Sequence, residues 1–154
     1  MVAEKCSLFS KILKLKPNME LVIRTDGGSR GNPGPAGIGV VIEDAKTHKV
    51  VETHAKFLGK TTNNQAEYKA VILGLERAVA LGAKEVEVVA DSELLIKQAR
   101  GEYRVKNPDL QLRFAELKAL ERKISHVMYR HVRREFNKVA DALANQAMDE
   151  GMKK

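Results

Sequence analysis

Residues 20–43 read ELVIRTDGGSRGNPGPAGIGVVIE, and this stretch decides the fold. The apolar and β-branched run at 21–25 predicts a buried strand that ends at Asp26. Residues 27–37 contain five glycines and two prolines, which indicates a turn region. Ile and Val fill four of the seven positions in 37–43, so a second strand is predicted there. The two strands open an antiparallel meander, which a third strand over 50–57 continues.

The hydrophobic period changes after the third strand. Thr61 to Asn64 offers capping side chains, and apolar residues then recur at helical spacing up to Gly82. Further along, the pattern predicts a strand over 85–90, a short helix over 92–100, a helix from Pro108, a strand over 125–132 and a helix over 137–148. The order βββαβααβα predicts an α/β fold: a mixed five-stranded sheet, with three antiparallel strands and then parallel additions, flanked by helices.

Composition sets the class of protein. The 154 residues suit one domain, which we place at 19–150, between a flexible N-terminal extension (1–18) and a C-terminal tail (151–154). A basic arm that touches phosphate is the alternative for 1–18. No apolar run is long enough for a membrane span, and the single cysteine, Cys6, favours a reducing, cytoplasmic location. The net charge of +7 favours a polyanionic partner.

Four acidic residues occupy unusual positions. Asp26 and Asp91 each follow a predicted strand, where side chains point toward the crevice at the strand ends. Glu67 and Asp141 lie in the first turns of predicted helices, where the helix dipole favours negative charge. Each also has a structural explanation: Asp26 can start a turn, Asp91 can cap a helix, and Glu67 can be an ordinary first-turn acid. Asp141 can face either way.

Taken together, the four carboxylates predict a metal site. If the fold gathers them, they repel one another, and hard divalent cations remove that repulsion. Oxygen ligands suit Mg²⁺ or Mn²⁺, and the chain has no Cys/His set for zinc. Two such ions about 4 Å apart support in-line attack on a phosphodiester.

The glycine-rich stretch matches neither a dinucleotide-binding loop nor a P-loop. It lacks G-x-G-x-x-G in the required frame, has no Gly-Lys-Ser/Thr, and precedes a strand. Its backbone N–H groups and the amide of Asn32 suit the close approach of a sugar–phosphate backbone. The alternative is a long hairpin loop with no binding role.

Four ordered blocks resemble the type 1 ribonuclease H family. They are DGGSRGNPGPAG at 26–37, TNNQAEY at 62–68, Asp91-Ser92, and NKVADALA at 137–144. The resemblance runs from about Glu20 to Met148, and each block carries one acid. It implies the ribonuclease H-like fold and an endonuclease that cuts the RNA strand of RNA–DNA hybrids with two Mg²⁺ ions, leaving 5′-phosphate and 3′-hydroxyl ends.

The resemblance also implies roles for single residues. Asp26 and Asp91 would anchor the ions, Glu67 would align one ion and the hybrid, and Asp141 would hold the ion that activates water. An A-like minor groove displays the 2′-hydroxyls that distinguish RNA, so weak sequence preference is expected. The groove would be contacted by Asn32, Asn63, Asn64, and the backbone of Gly27, Gly28, Ser29 and Gln65.

The chain departs from the family pattern in one loop. Many members carry a Gly-His loop before the last helix, where the histidine helps the product leave; residues 130–137 read RHVRREFN instead. This resembles a branch in which an arginine takes that place. Arg134 is our candidate, Arg133 is its main alternative, and His131 is expected to be structural. The basic segment between helices, 101–107, is short, so other basic residues are expected to contribute to hybrid affinity.

Two alternative functions remain open from the sequence. A strand-transfer enzyme of the same superfamily would also gather carboxylates on this sheet, although the asparagine pair and the glycine-rich block argue against it. A non-catalytic hybrid-binding module is the other alternative, and it predicts the loss of at least one of the four acids. The expected protein is a monomer.

Overall fold

The structure is a computed structural model that describes residues 19–153. The predicted extension over 1–18, with its alternative as a basic arm, lies outside the described residues. The strands are β1 (Glu20–Ser29), β2 (Gly34–Asp44), β3 (Val50–Thr61), β4 (Glu85–Ala90) and β5 (His126–His131). The helices are α1 (Asn63–Ala80), α2 (Glu93–Ala99), α3 (Pro108–Glu121) and α4 (Lys138–Met152), with a short 3-10 helix at Arg134–Phe136.

The five strands form one mixed sheet in the order β3-β2-β1-β4-β5. β1, β2 and β3 pair in antiparallel fashion, whereas β4 is parallel to both β1 and β5. The predicted fold class and element order are therefore confirmed. None of the helices in the described part of the chain is long and apolar enough to cross a membrane.

The glycine-rich stretch is mostly strand, so the predicted turn over 27–37 was too long. β1 continues to Ser29 and β2 begins at Gly34, which leaves only four residues for the turn. Gly28 pairs with Gly37 across the hairpin, and the N–H of Arg30 donates to the carbonyl of Pro35 at 2.8 Å. Asp26 accordingly lies inside β1, opposite Gly39, and not after its end.

Helices cover both faces of the sheet. A Cβ added at Gly74 of α1 would lie 3.6 Å from Val40 Cγ1, whereas one at Gly39 would overlap the carbonyl oxygen of Ala140 in α4. Because successive strand residues point to opposite faces, α1 and α4 pack on opposite sides of β2. The core between α1 and the sheet is apolar and fully buried; it includes Leu21, Ile23, Ile38, Val40, Ile42, Val71, Leu75, Val86 and Val88.

Two glycines allow helix backbones to lie directly against the strands that carry the site. A Cβ at Gly27 would lie 2.5 Å from the carbonyl carbon and oxygen of Ala66, next to Glu67. A Cβ at Gly39 would likewise overlap the carbonyl oxygen of Ala140, and Asp141 is the next residue of α4. Contacts this close exclude any side chain at either glycine, and they bring both helix acids toward Asp26.

The helix ends follow local capping rules. Thr62 Oγ1 accepts from the N–H of Gln65 at the start of α1, and Ser92 Oγ accepts from the N–H of Leu95 at the start of α2. Ser92, and not Asp91, therefore caps α2, which leaves the Asp91 carboxylate free of that role. α4 runs four residues past its predicted end at Met148, and the ring of Phe57 packs against Gly151 in this extension.

We predict that Gly39→Ala destabilises the protein by about 2 kcal/mol or more, because the added methyl group overlaps the backbone of α4. The free energy of unfolding, measured by denaturant titration followed by circular dichroism, tests this. Gly28→Ala is the matched control, since a Cβ there meets nothing closer than 3.9 Å. Equal stability of the two variants would contradict the proposed packing.

Candidate active site

Strand register brings Asp26 and Asp91 side by side. The parallel pairing of β1 and β4 ends with Thr25 opposite Ala90, so the two acids occupy the next position on neighbouring strands. Adjacent strands in a sheet are about 4.8 Å apart. Asp26 points to the same face as Gly39, its partner on β2, and α4 packs on that face.

The four carboxylates line one open cleft of about 450 Å³. Glu67 reaches it from the second turn of α1, and Asp141 reaches it from the first turn of α4. The described residues that line the cleft are Asp26, Gly27, Gly28, Ser29, Arg30, Asn63, Glu67, Asp91, Arg134, Asp141, Ala144, Asn145 and Met148. Acids that are up to 115 positions apart in the sequence, Asp26 and Asp141, thus meet at a single site.

The carboxylates perturb one another. Burial, followed by the negative charges of Asp91 and Asp141, raises the pKa of Asp26 from 3.8 to about 8. Burial also raises the pKa of Glu67; the Ser92 hydroxyl opposes this effect, and the charge of Asp91 adds to it. Asp91 is therefore the neighbour that Asp26 and Glu67 share.

Arg134 is the basic residue that meets this cluster. Its Nη2 donates to Asp141 Oδ1 at 3.1 Å, and the charge of Asp141 is the main reason that the pKa of Arg134 is raised. Arg133 instead faces Glu135 at 4.0 Å and does not line the cleft. His131 belongs to β5, as predicted; it is the last residue of the strand and is exposed outside the cleft.

A polar network joins the glycine-rich hairpin to the start of α1. Asn63 Oδ1 accepts from the N–H of Ser29 at 2.7 Å and from its hydroxyl at 3.0 Å, while Asn32 Oδ1 accepts from the N–H of Asn63 at 3.0 Å. The side-chain oxygens of both asparagines are therefore engaged within the protein. Their amide N–H groups are the parts that remain for a ligand.

Three of the predicted contact residues, Asn32, Asn64 and Gln65, lie outside the lining of the cleft. Asn64 is exposed on the first turn of α1. The backbone N–H of Gln65 already donates to Thr62, so a contact from Gln65 has to come from its side chain or carbonyl. Gly27 and Gly28 do line the cleft.

A buried asparagine joins α4 to the strand that carries Asp26. Asn137 is 1% exposed, and its Nδ2 donates to the carbonyl of Thr25 at 2.8 Å. Its own carbonyl accepts from the N–H of Asp141 at 3.1 Å. In the sequence, Asn137 stands out only as part of a motif, because nothing local distinguishes a strand anchor from a helix cap. Indeed its side chain makes no capping hydrogen bond.

Sequence reasoning also missed four residues that line the cleft: Arg30, Ala144, Asn145 and Met148. Three of them lie on α4, and the spacing of Asp141 and Asn145 was the available signal. Residues four apart share one face of a helix. For Arg30, an exposed turn position gave no indication of a partner.

The chemistry of the donor set fits a hard divalent cation. All four acids offer oxygen ligands. Burial and then the charges of Asp91 and Asp141 raise the pKa of Asp26, and a bound cation would offset both effects. Among residues 19–153, however, no three Asp, Glu, His or Cys side chains form a preassembled metal site. One of the oxygens, Asp141 Oδ1, is held by Arg134.

Comparison with known proteins decides the family. A family model described as reverse transcriptase-like matches residues 24–147. A ribonuclease H of Ruthia magnifica is 33% identical over 144 residues, which cover 84% of this chain and 96% of that protein. The chain belongs to the ribonuclease H family.

Two further relatives show how this ribonuclease H domain compares with larger and solved proteins. The bifunctional protein Rv2228c of Mycobacterium tuberculosis is 46% identical over 131 residues, or 85% of this chain, but the match covers only 36% of Rv2228c. The solved N-terminal RNase H domain of Rv2228c superposes with a TM-score of 0.85 at 44% identity, covering 88% of this chain and 97% of that one.

The second solved relative is LC11-RNase H1, isolated from compost, whose crystal structure holds an RNA/DNA hybrid. Its TM-score is 0.81 at 43% identity, and the match covers 86% of this chain and 99% of that one. The likeness extends over nearly all the described residues, so the sheet and the helices that carry the four acids have counterparts in both solved relatives.

We predict that Asp26 titrates near pH 8 in metal-free protein, as followed by the carboxyl carbon in NMR. The folded state then binds a proton that the unfolded state loses near pH 4, so the stability contributed by this group is present below pH 4 and declines up to about pH 8. Asp141→Asn removes a neighbouring charge and should lower the pKa of Asp26. An Asp26 titration near pH 4 in the wild type would contradict the described electrostatics.

Proposed function

We propose that this ribonuclease H domain hydrolyses the RNA strand of RNA–DNA hybrids, with two Mg²⁺ ions and little sequence preference, leaving 5′-phosphate and 3′-hydroxyl ends. The observation that carries the proposal is the convergence of Asp26, Glu67, Asp91 and Asp141 in one cleft. The hybrid held by LC11-RNase H1 supports the substrate class. Mn²⁺ is a plausible substitute because it accepts the same oxygen ligands.

The four acids would hold the metal ions. When bound, such ions supply an activated water and stabilise the oxygen that leaves in an in-line displacement. Asp26 and Asp91, which are adjacent on β1 and β4, would anchor both ions. Asp26 has to give up a proton first, since a carboxyl with a pKa of about 8 is largely protonated at neutral pH.

The hairpin and the start of α1 would hold the hybrid. Ser29 and Asn63 line the cleft beside the carboxylates, and their mutual hydrogen bonds fix the backbone amides of the hairpin. Small polar groups of this kind suit a wide minor groove that displays 2′-hydroxyls. Because none of them needs to read a base edge, the weak sequence preference follows from the same geometry.

Arg134 would act next to the acid at the start of α4. Its guanidinium is mostly exposed and contacts Asp141, so it can stay with the carboxylate or turn to a phosphate. We assign to it the place that the histidine of the Gly-His loop takes in other family members. A cytoplasmic location and a monomeric state complete the proposal; the single cysteine in the sequence supports the first.

We expect Asp26→Asn to lower hybrid cleavage in Mg²⁺ by at least about 100-fold, because even indirect changes around a metal ligand cost 10–100-fold. The assay compares labelled hybrid, RNA duplex and DNA duplex of one sequence, each with and without chelator. Asp109→Asn, at the start of α3 and outside the cleft, is the matched control. Cleavage of the hybrid alone, abolished by chelator, is expected.

Other outcomes of this assay refute the proposal. Joining or nicking of duplex DNA would indicate a strand-transfer enzyme, and tight hybrid binding without turnover in Mg²⁺ or Mn²⁺ would indicate a binding module. Full activity of Asp26→Asn would refute the assignment of the carboxylates even if the hybrid is cut.

We expect Arg134→Ala to lower kcat by about 10- to 100-fold, since this side chain contacts Asp141. Arg133→Ala and His131→Ala should leave kcat near the wild-type value, because neither side chain lines the cleft. Steady-state kinetics of the three variants on one hybrid provide the measurement. A larger loss in Arg133→Ala than in Arg134→Ala would reverse the assignment.

A further inference from the structure

The face of α4 that lines the cleft carries polar residues at every fourth position: Asp141, Asn145 and Asp149. Such residues form one stripe along a helix. An arginine contacts each end of the stripe. Arg134 binds Asp141 at the carboxylate cluster, and Arg30 binds Asp149 at the other end. Among the described residues, these two arginines are the cations that line the cleft.

Arg30 is held by its backbone but only loosely by its side chain. Its N–H donates to the carbonyl of Pro35 at 2.8 Å and closes the hairpin. Its guanidinium donates from Nη1 to Asp149 Oδ1, from Nη1 to Met152 Sδ at 3.5 Å, and from Nη2 to Asn145 Oδ1 at 3.4 Å. The side chains of Arg30 and Asp149 are 36% and 57% exposed, and ion pairs this exposed are weak.

A phosphate can therefore replace Asp149 as the partner of Arg30. Guanidinium groups bind phosphate through two parallel hydrogen bonds, which a single contact to one carboxylate oxygen does not provide. The eight residues from Asp141 to Asp149 span about 12 Å of helix. Asp149 is therefore two turns of α4 away from Asp141, and a phosphate that takes its place beside Arg30 would lie at the other end of the cleft from Asp141.

We infer that Arg30 binds a phosphate of the nucleic-acid substrate at the end of the cleft away from the carboxylates, and that Asp149 competes with this phosphate for the guanidinium. The inference rests on the proposed function for the identity of the substrate. Arg30 contributes to affinity and leaves the chemical step unchanged. Asp149 lowers affinity, so the two members of one ion pair have opposite effects on binding.

The test is the binding of a labelled RNA–DNA hybrid, measured by fluorescence anisotropy in chelator, which prevents turnover. Arg30→Ala should raise Kd about tenfold, the effect of one charged hydrogen-bonded contact, and should reduce the slope of log K against log salt by about 0.9. Asp149→Asn should lower Kd. Arg30→Lys, which keeps the charge but not the paired hydrogen bonds, should lie between the wild type and Arg30→Ala.

The chain provides matched controls in a second ion pair. Arg77 is 37% exposed and donates from Nε and Nη2 to Glu52 at 2.9 Å, away from the cleft. Arg77→Ala and Glu52→Gln remove equivalent charges, so each should change Kd less than its counterpart in the Arg30–Asp149 pair. Thermal unfolding of all the variants reports any loss of folded protein.

A purely structural ion pair predicts a different result. Arg30→Ala and Asp149→Asn would then both lower stability, and neither would change Kd in the direction given above. This outcome overturns the inference. Absence of hybrid binding by the wild type at low salt also overturns it.

The proposed nuclease function and the role of Arg30 can fail separately. If Arg30→Ala binds the hybrid more weakly but the wild type does not cleave it, the role of Arg30 is supported and the nuclease function is refuted. If the wild type cleaves the hybrid but Arg30→Ala binds it as tightly as the wild type, the nuclease function is supported and the role of Arg30 is refuted.

Discussion

The direct contact of helix backbones with glycine positions in the sheet is the constraint on which the site depends. Gly39 allows the carbonyl of Ala140 to lie against β2, and Gly27 does the same for Ala66 against β1. Each contact brings the next residue of the helix, Asp141 or Glu67, to the cleft. Any larger side chain would push the helix outward, and the acid with it, so the positions of the carboxylates follow from the lack of a Cβ at these two sites.

Gathering these acids works against stability. Burial, followed by the charges of Asp91 and Asp141, raises the pKa of Asp26 to about 8, so that repulsion between the carboxylates adds to the cost of burying this group. The apolar core between α1 and the sheet holds the arrangement together, because it is independent of these charges. Asn137 is buried and donates to the carbonyl of Thr25, which fixes the start of α4 to β1 next to Asp26. The same negative charge is what makes the site suitable for divalent cations.

The two ends of α4 have different proposed roles in the cleft. Asp141 and Arg134 belong to the carboxylate end, where the proposed chemistry takes place. Arg30 and Asp149 belong to the other end, where the inferred phosphate contact lies. The glycine-rich hairpin connects these ends, since Asp26 and Arg30 lie on the same short segment of β1 and its turn.

The sequence by itself determined the order of elements, the fold class, and the four acids as candidates. Hydrophobic period and capping residues are local properties, so β4 was predicted with its observed bounds and α1 within a few residues. The extent of the hairpin was not predictable, because Gly27 and Gly37 of this stretch lie against α1 and α4 and not in a loop. Only the tertiary structure selected Ser92 over Asp91 as the cap of α2, Arg134 over Arg133 as the partner of Asp141, and Asn137 as a strand anchor. The contact of Asn137 joins residues 112 positions apart, which no local pattern encodes. The contacts of Ser92 and Arg134 are closer in sequence, but they depend on which of two neighbouring side chains the backbone directs toward the partner.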